Sequence, residues 1–352
     1  MKKVSFLLVL LMSLMLLVVG CVSEGGDESG GETDSDSSSG EEEEEADVET
    51  EVEPTDVETP DEFTFGAATV GGFWYTLAGA MSDAMSDKFE GTSTTVVEGG
   101  SVSNLLGLGE GTFHIGFSNG QTVPEALNGE KAFDEPIENV STLATLYPNV
   151  FHIAVREDSD IYSVEDLEGK TVSPGIKGYS GELAFQEILE LNGMSYDSLD
   201  GIEYIGTADG ADLLRDGHID AIAGMLAAPV STFQELDTTV GIRLIPLSEE
   251  TVTSLNDANE GYLPFSIEEG TYPNTEEAVN TVAGYTVLLA NDDMISEDVA
   301  YELTKMVVEN QGAWANISNV MSEFNAEFSV ENNVGNLHPG AEKYYKEVGA
   351  LE

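Results

Sequence analysis

The chain has 352 residues, of which 67 are acidic and only 12 are basic, so its formal net charge is −55. A field this negative excludes nucleic acid and anionic lipid as partners, because both carry the same sign of charge. The only cysteine is Cys21, which leaves the folded part without an intramolecular disulfide, a cysteine-based metal site or a cysteine nucleophile.

The first 21 residues have the pattern of a lipoprotein signal peptide. Two lysines precede the segment 6–19, which is apolar but for one serine. This segment is shorter than the roughly 20 apolar residues that span a membrane, and it fits the apolar region of a signal peptide. Its end at residues 17–21, LVVGC, resembles a lipobox. We therefore predict lipidation of Cys21 and an extracytoplasmic protein held on the outer face of the membrane; an uncleaved anchor is the alternative.

The segment 22–62 differs in composition from everything after it. It holds 19 acidic residues, no basic residue and almost no large apolar side chain. Such a segment buries too little surface to fold, so we predict a disordered acidic tether. The remaining segment 63–352 carries 48 acidic and 10 basic residues, and its length favours two lobes over one core. Its charge suggests a halophilic protein, since concentrated salt screens self-repulsion.

Two stretches of the chain repeat one order of predicted elements, which is strand, glycine loop, helix, strand, turn, short helix and strand. In the first stretch the strands are predicted at 63–67, 94–97 and 113–117. The longer helix carries the apolar stripe Leu77, Met81, Met85 and Phe89, and the short helix begins at Val102. In the second stretch the strands are predicted at 170–173, 202–205 and 219–222. The longer helix carries Ala184, Ile188 and Leu191, and the short helix runs through 213–214. Alternating strands and helices predict α/β lobes with parallel sheets.

Two further apolar segments, 151–156 and 286–290, flank the second stretch. We interpret them as crossover strands that join two similarly built lobes. Lobe 1 is then 63–152 plus about 285–352, and lobe 2 is about 153–284. Helices are predicted at about 297–311 and after the HPG sequence at 338–340, where proline suits a first turn.

Ligands of open α/β sheets bind beyond the carboxyl ends of strands, where helices begin and backbone N–H groups are free. Four loops have this position, and facing lobes would bring them to one cleft. Each candidate also has an interpretation without a ligand. Trp74 would then pack in a core, Ser101 and Ser180 would only cap their helices, and Lys177 would be an ordinary surface residue. The candidate ligand-binding residues are Gly72, Trp74, Tyr75, Ser101, Val102, Asn104, Ser118, Asn119, Lys177, Tyr179, Ser180 and Gly181.

The four histidines of the sequence are far apart, with no metal-ligand spacing and no histidine-centred catalytic motif. We therefore predict no catalytic residue, no metal and no cofactor. A secreted α/β hydrolase and an adhesive surface protein are the less favoured alternatives.

With these loops in place, the chain resembles the TAXI family of solute-binding receptors of TRAP transporters. Six segments carry the resemblance, at 71–75, 100–105, 143–148, 163–170, 270–273 and 337–345. The chain departs from the family in the loop 175–182, which contains Lys177 and Tyr179.

The resemblance implies a two-lobed periplasmic-binding-protein type II fold. It also implies delivery of a small carboxylate or amino acid, such as glutamate, to a TRAP membrane permease. Separately, we predict that the protein is a monomer. A substrate-binding protein of an ABC importer or of a sensor is the main alternative, because the fold is shared.

Overall fold

The computed structural model describes residues 50–70 and 72–352. In this part of the chain ten strands form one mixed sheet: β1 (Glu62–Gly66), β2 (Ser93–Val97), β3 (Ile115–Asn119), β4 (Val140–Arg156), β5 (Thr171–Ser173), β6 (Gly201–Ile202), β7 (Ala221–Ala227), β8 (Ile242–Leu244), β9 (Leu263–Ile267) and β10 (Val279–Asn291). The α-helices are α1 (Phe73–Lys88), α2 (Ser101–Gly109), α3 (Thr122–Asn128), α4 (Ser180–Leu191), α5 (Thr207–Arg215), α6 (Ser231–Thr239), α7 (Glu249–Ala258), α8 (Glu297–Glu309), α9 (Gln311–Ile317), α10 (Ala326–Glu331) and α11 (Pro339–Glu347).

The sheet has the strand order β2-β1-β3-β10-β4-β7-β5-β6, with β8 paired to β4 and β9 paired to β10. β1 is parallel to β2 and β3, and β5 is parallel to β6 and β7. β4 and β10 run antiparallel to each other and to their outer neighbours. The parallel arrangement predicted for the two repeated stretches is therefore confirmed. The two crossover strands, for which no direction was predicted, run antiparallel because one of them leaves lobe 1 and the other re-enters it.

The two crossover strands are longer than the sequence indicated. β4 has 17 residues and β10 has 13. The lobe 1 halves of both strands pair with each other and with β3, whereas the lobe 2 halves pair with β7 and β9. A continuous pair of strands thus connects the lobes, and each strand keeps its backbone hydrogen bonds on both sides of the connection. The lobe boundaries at 152 and 285 remain a prediction.

Each repeated stretch contains its predicted helices and strands, with ends that differ by a few residues. β7 ends five residues beyond the strand predicted at 219–222, and β6 has only two paired residues instead of the four predicted at 202–205. β6 is an edge strand with β5 as its one neighbour in the sheet. In α4 the predicted apolar stripe is buried except at Leu191, the last residue of the helix, which is 47 % exposed.

Burial of apolar side chains is separated between the lobes. In lobe 1, α1, α8 and α11 pack on one face of the sheet, where Phe65, Met81 and Trp314 are buried. In lobe 2, a comparable cluster contains Phe151 and Phe185. Both clusters are contiguous with the central strands, so the sheet positions the two lobes against each other.

The acidic segment before β1 corrects one sequence prediction. The backbone N–H of Glu51 donates to Asn310 Oδ1 over 2.9 Å, and that of Thr55 donates to the carbonyl of Lys88 over 3.0 Å. Val52 and Val57 pack against the lobe 1 core. The predicted tether therefore extends too far: residues 50–62 lie on the folded part, because two valines among the acids find apolar partners. The signal peptide, Cys21 and residues 22–49 lie outside the described residues.

A search of residues 50–70 and 72–352 for a helix long and apolar enough to cross a membrane finds none.

Candidate functional site

The first residues of two helices from different lobes meet in the described structure. Ser101 begins α2 and Ser180 begins α4, and Ser101 Oγ donates to Ser180 Oγ over 3.3 Å. Both serines are buried, at 3 % and 7 % exposure. The free N–H groups and positive ends of two helices are therefore directed at one place between the lobes.

A second contact joins the lobes at the rim of this place. The hydroxyl of Tyr179, the residue before α4, donates to the carbonyl of Gly99 over 3.1 Å. The Tyr179 ring also covers Gly100, where a Cβ would lie 3.4 Å from the ring. The loop before α2 is thus held under an aromatic side chain of lobe 2.

Asn119, the last residue of β3, connects the two serines to the sheet. Its side-chain Nδ2 donates to Ser180 Oγ over 2.6 Å, and its backbone N–H donates to Ser101 Oγ over 3.2 Å. Its Oδ1 accepts from Asn149 Nδ2 over 2.7 Å. Every polar atom of the Asn119 side chain therefore has a partner, one of them in the opposite lobe.

The network continues into lobe 1 through residues that the sequence analysis did not select. Asn149 Nδ2 also donates to Thr286 Oγ1, and Trp74 Nε1 donates to the same oxygen over 3.1 Å. Tyr147 lies in the same group, and burial raises its pKa despite hydrogen bonds with Thr286, Trp74 and Asn149. The available signal was a set of polar residues inside the apolar crossover strands β4 and β10.

Trp74 lies in the lobe 1 core, as the alternative given for it predicts, and it also belongs to the polar network. Trp74 packs 5.8 Å from the Phe117 ring, centroid to centroid, and also hydrogen-bonds to the network. Tyr75 packs against the lobe 1 core. Gly72 precedes α1 in extended backbone, and its carbonyl accepts from the Tyr75 N–H over 3.0 Å.

Three of the predicted residues serve mainly to position the helix starts. Ser118 Oγ donates to the carbonyl of Ser101 over 3.4 Å. Val102 packs against the apolar cluster below α2. A Cβ on Gly181 would lie 2.8 Å from the backbone nitrogen of Met225, so glycine allows the first turn of α4 to approach β7.

Two predicted ligand contacts have other partners in the structure. Asn104 Nδ2 donates to the carbonyls of Ala67 and Phe117 over 2.7 and 2.8 Å, which uses its donors to tie β1 to β3. Lys177 is exposed, and its Nζ lies 5.3 Å from the Tyr204 ring centroid. The ammonium of Lys177 is thus stacked on an aromatic ring and is not a member of the network.

The members of the network are all neutral, and they offer hydroxyl, amide and indole groups. Such a site recognises a small polar molecule or an anion through directed hydrogen bonds and helix ends. Within the described ranges, no cluster of three or more His, Cys, Asp or Glu side chains is arranged to hold a metal ion.

Comparison with solved structures shows the fold. The methylphosphonate complex of PhnD1 from Prochlorococcus marinus has a TM-score of 0.51 and 12 % identity, covering 82 % of this chain and 96 % of that chain. The alkanesulfonate-binding protein SsuA from Xanthomonas axonopodis pv. citri has a TM-score of 0.45 and 16 % sequence identity, and the match covers 84 % of this chain and 82 % of that chain. The probable amino-acid ABC transporter extracellular-binding protein ytmK from Bacillus subtilis has a TM-score of 0.43 and 15 % sequence identity, and the match covers 75 % of this chain and 98 % of that chain. The likeness to PhnD1 thus shows that the chain has an α/β periplasmic-binding-protein-like fold.

The comparison of sequence families covers most of the chain. The model of the NMT1-like family matches residues 65–349, which include both repeated stretches, both crossover strands and every residue of the network. The resemblance to TAXI receptors is confirmed at the level of fold, and membership of the TAXI family stays a prediction. By the extent of this match, the chain is a member of the NMT1-like family.

Proposed function

We propose that this protein is the extracytoplasmic solute-binding component of a membrane importer and binds a small polar or anionic solute between its lobes. The observation that carries the proposal is the contact between the starts of α2 and α4, where Ser101 and Ser180 meet across the lobes. In an α/β fold of this type, helix starts at the carboxyl ends of strands supply donors to a ligand. The similarity to a methylphosphonate-bound structure supports this use of the fold.

The importer that we propose is an ABC importer, given as an alternative in the sequence analysis. The TRAP prediction depends on membership of the TAXI family, which the match of residues 65–349 to the NMT1-like family does not by itself show. TRAP transport remains the second candidate, because six ordered segments resemble TAXI receptors. Uptake by cells carrying this protein and its membrane partner separates the two, since an ABC importer requires ATP hydrolysis and a TRAP transporter requires an ion gradient.

Calorimetry in 2 M KCl is the direct test of solute binding. The panel is L-glutamate, L-alanine, L-lactate, glutarate, propionate, methanesulfonate and methylphosphonate. We expect at least one of these to bind, and Ser101→Ala to weaken its binding by roughly 1–3 kcal/mol through a lost buried hydrogen bond. Ser231→Ala, at the exposed start of α6, is the matched control. Binding of no panel member, or equal binding by Ser101→Ala, would contradict the proposed site.

We further propose that lipid on Cys21 holds the protein on the outer face of the cell membrane. The apolar segment ending at Cys21 supports this placement. A lipid anchor keeps a receptor near its transporter and raises the local concentration of loaded protein.

A further inference from the structure

We infer that Gln121 contacts the solute, and that its amide selects solutes with an N–H or O–H donor beside their anionic group. This inference depends on the proposed function and names the solute class for the same site. Gln121 follows β3 by two residues and is 2 % exposed. Neither Nε2 nor Oε1 of its side chain has a hydrogen-bond partner among the described residues.

An amide buried in this way is unusual, because nearly all buried polar groups in proteins have partners. Hydrogen bonds and close packing fix the backbone at Gln121, which limits the positions that its side chain can take. The Gln121 carbonyl accepts from Asn259 Nδ2 over 2.8 Å, and the Gly120 N–H donates to the Tyr285 carbonyl over 2.7 Å. Gly261 packs so closely on the Gln121 backbone that it has no room for a Cβ. The amide is therefore held in place without a protein partner.

The sheet register shows where this amide lies. The Gln121 Oε1 occupies the space that a Cβ of Gly284 would need. Gly284 pairs directly with Asn149, and Asn149 pairs with Ala227. Directly paired residues of antiparallel strands have side chains on the same face. The Gln121 amide thus lies on the same sheet face as the Asn149 side chain.

The Gln121 amide also lies next to the start of α4. The Met225 Cε would lie 3.3 Å from a Cβ of Gly284, and the backbone nitrogen of Met225 lies against Gly181 in the first turn of α4. Asn149 hydrogen-bonds to Asn119, which in turn hydrogen-bonds to Ser180. Gln121 therefore adds an unused donor and an unused acceptor beside the polar network between the lobes.

The chemistry of the two groups defines the solute. The helix starts and the serine and asparagine donors suit an oxyanion. The Gln121 Oε1 only accepts hydrogen bonds, so it requires a donor on the solute, while Nε2 can add a bond to the anionic group. An α-amino or α-hydroxy acid has both features, whereas a plain carboxylate, sulfonate or phosphonate dianion lacks the donor. Sites built to bond an N–H or O–H group discriminate strongly against analogues without one.

Calorimetry with matched pairs tests the inference. The pairs are L-glutamate with glutarate, and L-alanine and L-lactate with propionate, measured on the full protein in 2 M KCl. We expect an amino or hydroxy acid to bind wild type at least tenfold more tightly than its partner compound. Gln121→Leu should remove this preference by a tenfold or larger loss for the amino or hydroxy acid, and should leave the melting temperature without solute equal or higher. Gln234→Leu, on the exposed face of α6, is the control.

The outcomes separate the inference from the proposed function. Equal affinity of wild type and Gln121→Leu for the amino or hydroxy acid overturns the inference, because the amide would then make no contact with the solute that affects binding. Equal affinity of wild type for both members of every pair also overturns it. Binding of no member of the wider panel overturns the proposed function, and the inference with it. Gln121→Met replaces Gln121→Leu if the branched side chain prevents folding.

Discussion

The Asn119 side chain in lobe 1 donates a 2.6 Å hydrogen bond to Ser180 in lobe 2, while its backbone N–H donates to Ser101. One residue at the end of β3 thus bonds to the first residues of two helices that belong to different lobes. The structure is therefore a closed arrangement, in which the lobes touch through polar groups. Hinge motion at the segments that join two lobes is one way in which such an arrangement can open and close.

The first prediction concerns this closed arrangement. Ser180→Ala removes the acceptor of Asn119 and leaves a buried amide with one bond fewer, at a cost of about 1–2 kcal/mol to the closed state. We expect the radius of gyration of the solute-free protein to increase in small-angle X-ray scattering. Ser231→Ala, also at the first residue of a helix but exposed, should not change it. An unchanged radius for Ser180→Ala would mean that other contacts hold the lobes together.

The second prediction concerns a carboxyl group at a contact between the lobes. Glu125 of α3 is 6 % exposed and has a pKa raised to about 7, mainly by burial and then by the negative charge of Glu187. Lys131 and the side chain of Asn259 oppose the shift, and Lys131 Nζ pairs with Glu187 Oε1 at 3.0 Å. The native state thus keeps a proton on Glu125 that the unfolded chain releases near pH 4.5.

The sign of the effect follows from proton binding. Between about pH 4.5 and 7 the native state binds more protons at Glu125 than the unfolded state, so this group lowers stability as pH rises. Glu125→Gln removes the titration and keeps an acceptor for Asn259. We expect its free energy of unfolding, relative to wild type, to increase by about 1–3 kcal/mol between pH 4.5 and 8. Denaturant unfolding at both pH values measures it, with Glu235→Gln, on the exposed face of α6, as the control. A constant difference across this range would contradict the raised pKa.

The third prediction concerns a buried histidine in lobe 2. His152 Nδ1 lies 2.8 Å from the carbonyl of Val150 and must donate to it, so Nε2 accepts from the Tyr272 hydroxyl over 2.8 Å. That hydroxyl accepts in turn from the Val230 N–H over 3.0 Å. Burial lowers the pKa of His152 to about 4, although the Val150 carbonyl opposes this shift. The neutral ring therefore holds together β4 and the segment before α6.

Protonation in the unfolded state determines the pH dependence here. Below pH 6.5 the unfolded chain binds a proton that native His152 does not, so this contribution to stability is complete above pH 6.5 and decreases down to about pH 4. His152→Gln keeps a donor and an acceptor but does not titrate. Between pH 7 and pH 4.5 we expect wild type to lose about 2–3 kcal/mol more than this variant. His218 is exposed, and His218→Gln should follow wild type; equal losses for all three proteins would contradict the argument.

The fourth prediction concerns salt. Residues 63–352 carry 48 acidic and 10 basic side chains, and this imbalance makes the folded protein repel itself at low ionic strength. The Debye length falls to about 3 Å at 1 M salt, which removes most of this repulsion. We expect the melting temperature to rise over a molar range of KCl. A melting temperature independent of salt would show that the charge is not a source of instability.

The fifth prediction concerns the anchor. Cys21→Ser removes the thiol that lipidation requires, so the protein should be released into the medium or remain as an unprocessed precursor. Membrane fractionation and immunoblotting measure this. A processed Cys21→Ser protein that still sediments with membranes would contradict lipidation.

The sequence by itself was sufficient for the repeated order of elements, the two lobes and the helix starts at Ser101 and Ser180. These features depend on local patterns, namely apolar periodicity and glycine loops between strands and helices. Composition averaged over a segment was less reliable. It hid Val52 and Val57, which pack on the folded core although their neighbours are acidic.

Only the tertiary structure decided which polar groups face one another. Asn104 and Asn119 have similar positions at strand and helix ends in the sequence, yet the first ties β1 to β3 and the second reaches the opposite lobe. Asn149 and Thr286 meet because β4 pairs with β10, which brings residues more than a hundred positions apart into contact, and Gln121 joins them by lying against Gly284 of β10. Strand pairing depends on long-range contacts and burial rather than on nearby residues, so no local pattern specified which of these polar groups meet.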